Sequence, residues 1–119
     1  MSTGYHEADL SQECRDIHRA LASLQEELEA AEWYNQRGDV CPDEELKAIL
    51  EHNRNEEIQH ASMLLEYLRR QMPEFDGQLK TYLFTSEPIT EIEDEEEAGD
   101  ESGEHSEPKA GDLGIGRNM

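Results

Sequence analysis

The chain has 119 residues, with 30 Asp and Glu against 10 Lys and Arg, a formal net charge of -20 and 34% hydrophobic residues. Length and apolar content bound it to one small domain, and a charge this negative repels phosphate backbones and anionic lipid, which excludes nucleic acid and membrane surfaces as primary partners. Cations and basic protein surfaces remain. No apolar run approaches the roughly 20 residues of a bilayer span, and Met1 to Glu7 lack the charged and apolar regions of a signal peptide, so the expected compartment is the cytoplasm.

Residues 1–8 carry no apolar period and are expected to be flexible. Leu10, Cys14, Ile17, Leu21, Leu24, Leu28 and Ala31 are then spaced alternately by four and three, which lays one seam along a helix of about 28 residues. Asp9 with Gln12 three positions on offers a capping box, and Gly38 suits the C-terminal stop. Cys14 and Cys41 fall near opposite ends of this helix, about 40 Å apart at 1.5 Å per residue, and are expected as reduced thiols. His18 lies beside the seam, a packing or surface group.

A second helix is predicted from Pro42 to Met72, opened by a first-turn proline with Asp43, Glu44 and Glu45 at the positive end of its dipole, and closed by Pro73. A short third helix follows from Pro73 to about Phe84, with Phe75, Leu79, Tyr82 and Leu83 on one face. Residues 9–86 thus form an all-α domain, a long antiparallel two-helix hairpin with a short third helix. Such a hairpin leaves a long apolar stripe uncovered, and two copies solve this by dimerising into a four-helix bundle.

The composition changes after Ser86: residues 1–86 hold 18 acids and 8 bases, residues 87–119 hold 12 and 2, and each part nets -10. Residues 87–110 contain no aromatic residue and are predicted to be an acidic, disordered linker. Residues 111–119 return to apolar character through Leu113-Gly114-Ile115-Gly116, a short apolar word on a solvated tether that has the form of a docking peptide.

The chemistry lies in the second helix. Its seam runs Leu46, Leu50, Asn53, Glu57, His60, Leu64, Tyr67, so a carboxylate and an imidazole stand where apolar residues would be, and Met63 is taken as core. Glu-x-x-His alone is a common tetrapeptide; its position mid-seam sets this one apart, because a buried carboxylate is costly unless paired or metal-bound. Glu27 borders the stripe of the first helix, about 80° from its centre, and antiparallel pairing around residues 38–41 places it near residues 53–57. A dimer would unite two Glu27, two Glu57 and two His60, the ligand set of di-iron carboxylate bundles. Carboxylates with one imidazole per metal suit iron or manganese, and zinc can enter the same set. Two Fe(II) together supply the two electrons that oxygen or peroxide accepts.

Three stretches, Glu26-Glu27-Leu28-Glu29-Ala30-Ala31-Glu32-Trp33-Tyr34, His52-Asn53-Arg54-Asn55-Glu56-Glu57-Ile58-Gln59-His60-Ala61 and Lys80-Thr81-Tyr82-Leu83-Phe84-Thr85, resemble the encapsulated ferritins, as does Leu113-Gly114-Ile115-Gly116 at the C-terminus. The resemblance implies a ferroxidase that oxidises Fe(II) with oxygen at a di-iron centre, assembles as a ring-shaped decamer of dimers and stores iron inside an encapsulin nanocompartment, docked by Leu113, Gly114, Ile115 and Gly116. It implies Glu27, Glu57 and His60 as ligands with Tyr34 beside them, Glu26 and Glu29 along a metal entry path next to Trp33, and an external metal site at His52 and Glu56. The remaining carboxylate of that external site corresponds to Gln59, and the tag's usual continuation is replaced by Arg117-Asn118-Met119. Calcium can occupy the secondary acidic sites. On the wheel, Glu26, Glu29 and Trp33 lie away from the apolar stripe, which points to a second interface between dimers. The alternative is a non-catalytic acidic metal-binding cargo protein docked to a shell.

Overall fold

The computed structural model describes residues 4–101, with side chains described through residue 97. Four α-helices follow in chain order: α1 Gln12–Val40, α2 Glu44–Gln71, α3 Pro73–Tyr82 and α4 Ile89–Glu101. Among the described residues there is no strand, and no helix is long and apolar enough to cross a membrane. The chain divides after Gln71 into two compact units.

The first unit is the expected hairpin, with three corrections at its helix ends. The N-cap of α1 is Ser11, whose hydroxyl accepts the Cys14 N–H at 3.1 Å. Asp9 instead sits two residues earlier at φ 59, a left-handed conformation that Asp tolerates, so the Asp9–Gln12 capping box does not form. Nor does Gly38 stop the helix. α1 continues to Val40 and ends at Cys41, in extended geometry at ψ 121, because the following Pro42 disfavours helical backbone there. Gly38 serves the packing: a Cβ on it would meet Glu51 Cγ at 3.3 Å and Leu50 Cβ at 3.8 Å, so its hydrogen lets the helices close. Asp43 caps α2, its carboxylate accepting the Leu46 N–H at 2.8 Å, with Pro42 just outside the helix.

Three polar contacts set the register of α1 against α2. Lys47 Nζ donates to the Gly38 carbonyl at 2.9 Å, Arg54 Nη1 donates to Asn35 Oδ1 at 2.9 Å, and His60 Nδ1 stands 3.3 Å from Glu27 Oε1. Residue 27 is therefore level with residue 60, about one turn further along α2 than the expected 53–57. The close approach of Gly38 to Leu50 and Glu51, with the Lys47 and Arg54 contacts, sets this offset, and Ala20, Gly38 and Ala61 are buried along the seam with Leu68. The bulky residues are displaced to its flanks: Leu28, Ile49, Ile58 and Met63 are all about half exposed or more, so Met63 is not core within one chain. Each such side chain contributes about 1.5–3 kcal/mol on full burial, a large driving force that the single hairpin leaves unused. Cys14 and Cys41 are free thiols, and His18 packs edge-on against Tyr5 with ring centroids 4.9 Å apart.

In the second unit, Pro73 opens α3 at its first turn after Met72, which is held extended as a residue before proline must be. The helix ends at Tyr82, two residues short of the expected Phe84, whose φ of 61 takes it out of helical geometry. α4 packs with α3. It occupies the first part of the segment expected to be a disordered linker; the reason is local, since Ile92 is almost completely buried (1% exposed) and supplies an anchor that the acidic average of the segment conceals. The Tyr82 hydroxyl is pushed above its ordinary pKa by burial first, and then by the charges of Glu93, Glu96 and Glu97 on α4. The rest of the linker and the docking peptide, with Leu113, Gly114, Ile115 and Gly116, lie outside the described residues.

Candidate metal centre

Glu27 on α1 and Glu57 and His60 on α2 converge at mid-hairpin. One ligand atom from each lies within 4.8 Å of the others, and among the described residues this is the one such group of three. His60 Nδ1 is 3.3 Å from Glu27 Oε1 and 3.7 Å from Glu57 Oε1. The i,i+3 spacing puts Glu57 and His60 on one face of α2, while Glu27 follows the buried Ala20 by two turns along α1 and so opens onto the seam.

The electrostatics are those of a site lacking positive charge. Glu57 is pushed above the ordinary carboxylate range, first by its hydrogen bond with Glu27, then by burial and by the Glu27 charge, with Glu56 adding a smaller push and His60 pulling the other way. Two carboxylates this close favour sharing a proton, and a divalent cation can take that proton's place. The side chains of Glu27, Glu57 and His60 are 26%, 24% and 44% exposed, so the group opens to the outside instead of being sealed in a core. Oxygen and imidazole donors without a thiolate match iron or manganese chemistry.

The remaining candidates are distributed differently. Tyr34 is half-buried on the same side of α1 as Glu27, but seven residues on, roughly 10 Å along the axis. Its ring lies 5.5 Å from the Arg37 guanidinium, which also stands 5.8 Å from the Trp33 ring. Glu26, Glu29 and Trp33 are exposed. His52 and Glu56 pair with each other, Nε2 to Oε2 at 3.1 Å, on the exposed side of α2, and Gln59 is exposed one turn on. Arg54, Asn35 and Lys47 were not legible as contributors to the site's placement, since none of their contacts follows an apolar period or a ligand spacing.

Two long antiparallel helices that bring a carboxylate from one and a Glu-x-x-His pair from the other to a single point define a ferritin-like hairpin. The chain belongs to the encapsulated-ferritin family, whose model, described as EncFtn-like, matches residues 3–86. It is 54% identical over 117 residues to "Ferritin-like protein" of Thermotoga maritima, a match that covers 97% of each chain. It is 50% identical over 112 residues to "Encapsulated ferritin-like protein" of Rhodospirillum rubrum, covering 90% of this chain and 80% of that one. The crystal structure of protein ne0167 from Nitrosomonas europaea superposes with a TM-score of 0.69 at 61% identity, over 72% of this chain and 97% of that one.

Proposed function

We propose that the chain is a ferroxidase that oxidises Fe(II) to Fe(III) with oxygen, at a di-iron centre completed by a second copy, and that it delivers the iron for storage inside an encapsulin nanocompartment. The observation that carries the reading is the convergence of Glu27, Glu57 and His60 on one half-open point. Three side chains supply too few donors for two metal ions, and the exposed apolar residues flanking them, Ile49, Tyr67 and Leu28, favour a two-fold partner that would double the set. Fe(II) is the substrate: two ferrous ions each give up one electron, and dioxygen accepts the pair together with protons. Glu27 and Glu57 would neutralise the added charge of the Fe(III) product, and His60 would supply the nitrogen donor for each metal.

Family membership supports association with an encapsulin shell and a homo-oligomer, for which we propose the ring-shaped decamer. Leu113, Gly114, Ile115 and Gly116 would dock the chain to the shell. Glu26 and Glu29, exposed beside Trp33, would line metal entry and face a neighbouring dimer, with calcium a further occupant of such acidic sites. Tyr34 would stand near the assembled centre. For the external site the His52–Glu56 pair remains, but the amide of Gln59 is a weak ligand.

The test is aerobic mixing of the assembled protein with Fe(II), followed by near-ultraviolet absorbance. Oxidation well above the buffer rate is expected, and Glu27→Ala, Glu57→Ala and His60→Ala should each reduce it. Stoichiometric Fe(II) binding without faster oxidation would replace this reading with that of a non-catalytic metal-binding cargo.

A further inference from the structure

Arg37 sets its charge against two aromatic rings instead of against an acid. Its guanidinium stands 5.5 Å from the Tyr34 ring and 5.8 Å from the Trp33 ring. Among the described residues it forms no ion pair, whereas Arg19, Arg69, Arg70, Lys47 and Lys80 each pair with a carboxylate. In a chain with 30 Asp and Glu against 10 Lys and Arg, a base that faces rings and no acid calls for a physical reason.

Helical geometry accounts for the double contact. Around α1, position 37 falls about 40° from position 33 and about 60° from position 34, between the two, so one side chain reaches both rings. Trp33 is 50% exposed on the face turned away from α2, and the half-buried Tyr34 lies on the Glu27 side, roughly 10 Å along the axis from that carboxylate. Trp33 is the single tryptophan of the chain.

Indole and phenol are, with the sulfur side chains, the groups most easily oxidised by one electron. The reaction proposed above makes oxidants close to them. Dioxygen that takes two electrons and two protons becomes hydrogen peroxide, and a further Fe(II) turns peroxide into hydroxide and hydroxyl radical as it becomes Fe(III). Removing one electron from either ring creates a positive charge there, which lasts until the ring's N–H or O–H proton leaves. A guanidinium this close opposes that charge, and its attraction to the ring face favours the intact ring.

We propose that Arg37 shields Trp33 and Tyr34 from one-electron oxidation and so keeps both rings intact beside the iron centre. It acts on the rings and not on the reacting atoms. Its use to the protein rests on the ferroxidase reading. The shielding itself does not, because it is measurable in metal-free protein with an oxidant supplied from outside.

The test exposes the metal-free full chain to azide radical, generated by irradiating azide solution saturated with nitrous oxide. The radical takes one electron from indole or phenol and becomes azide ion, while the ring proton passes to water. Being uncharged, it is not steered by the loss of Arg37. Oxidised Trp33 and Tyr34 are quantified by peptide mass spectrometry against Tyr67 of the same chain, which lies on α2. In Arg37→Gln this ratio should rise at least about threefold, the effect that a unit charge exerts at such a distance even in water. Arg37→Lys keeps the charge and should restore most of the protection. An unchanged ratio in Arg37→Gln overturns the proposal. So does Arg37→Lys behaving like Arg37→Gln, because lost cover and not lost charge would then be the cause. As a second measurement, repeated aerobic additions of Fe(II) should oxidise Trp33 faster in Arg37→Gln than in wild type. Equal loss of Trp33 overturns the protective role even where the azide ratio rises. The ferroxidase reading fails by a different result, the lack of accelerated Fe(II) oxidation in wild type.

Discussion

His60 Nδ1 and Glu27 Oε1 lie 3.3 Å apart although 33 positions separate them in the chain. That contact joins the Glu-x-x-His pair of α2 to the carboxylate of α1 and turns two ordinary acidic helices into a ligand cluster. Its consequences for stability and activity run in opposite directions.

Glu57→Gln removes one of two facing carboxylates while keeping shape and hydrogen-bonding capacity. The Glu57 pKa is pushed up first by its hydrogen bond with Glu27, then by burial and the Glu27 charge. In metal-free protein above that raised pKa the thermal midpoint should rise, because the neutral amide keeps the hydrogen bond and carries no charge to bury or to face Glu27. Fe(II) oxidation should fall by at least about tenfold, since even residues that merely support a metal ligand are worth about 10–100-fold. Differential scanning calorimetry and initial oxidation rates on the same preparation check both.

The pH dependence follows from the same shift. Glu57 binds its proton more tightly folded than unfolded, so its stabilising contribution is fully present below the ordinary 4.5 and is lost as pH rises through the raised folded value. Glu66 runs the other way: hydrogen bonds from Arg69 and Arg70 hold its carboxyl down to about 2, so its contribution is present above 4.5 and is lost as pH falls toward 2. Thermal midpoints of metal-free wild type minus those of Glu57→Gln, plotted against pH, should therefore decline as pH rises above 4.5. A flat difference would show that Glu57 is not shifted.

The helix caps make a prediction that separates Ser11 from Asp9. Ser11→Ala should cost about 1 kcal/mol, as should Asp43→Ala at the start of α2. Asp9→Gly should not reduce stability, because glycine suits the positive φ found there. Chemical denaturation of the metal-bound assembly at fixed concentration measures all three; a larger loss for Asp9→Gly than for Ser11→Ala would restore the capping box.

Truncation after residue 110 removes Leu113 to Gly116 and leaves α1 to α4 whole. Oxidation by the purified protein should be unchanged while co-purification with a co-expressed encapsulin shell is lost. Retention in the shell at the wild-type level would place the docking determinant elsewhere.

The fold was largely legible because apolar spacing and proline placement are local. The alternation of fours and threes from Leu10 to Ala31 marks α1, and Pro42 and Pro73 delimit α2. The Glu57–His60 pair was legible for the same reason. The cap at Ser11, the passage of the helix through Gly38 and the order of α4 were not: each depends on one side chain or one close approach, not on a periodic average. Ile92 shows this best, a single buried residue within a run of acids.

By itself the sequence determined which side chains could form a site, because helical geometry fixes which residues share a face. Tertiary structure alone decided where the two faces meet. The approach of Gly38 to Leu50 and Glu51, with the Lys47 and Arg54 contacts, sets the register that brings Glu27 to His60 and turns the bulky apolar residues outward. Register is a property of two surfaces packed together, and a one-turn slide leaves each helix's own pattern unchanged while separating these ligands by about 5 Å.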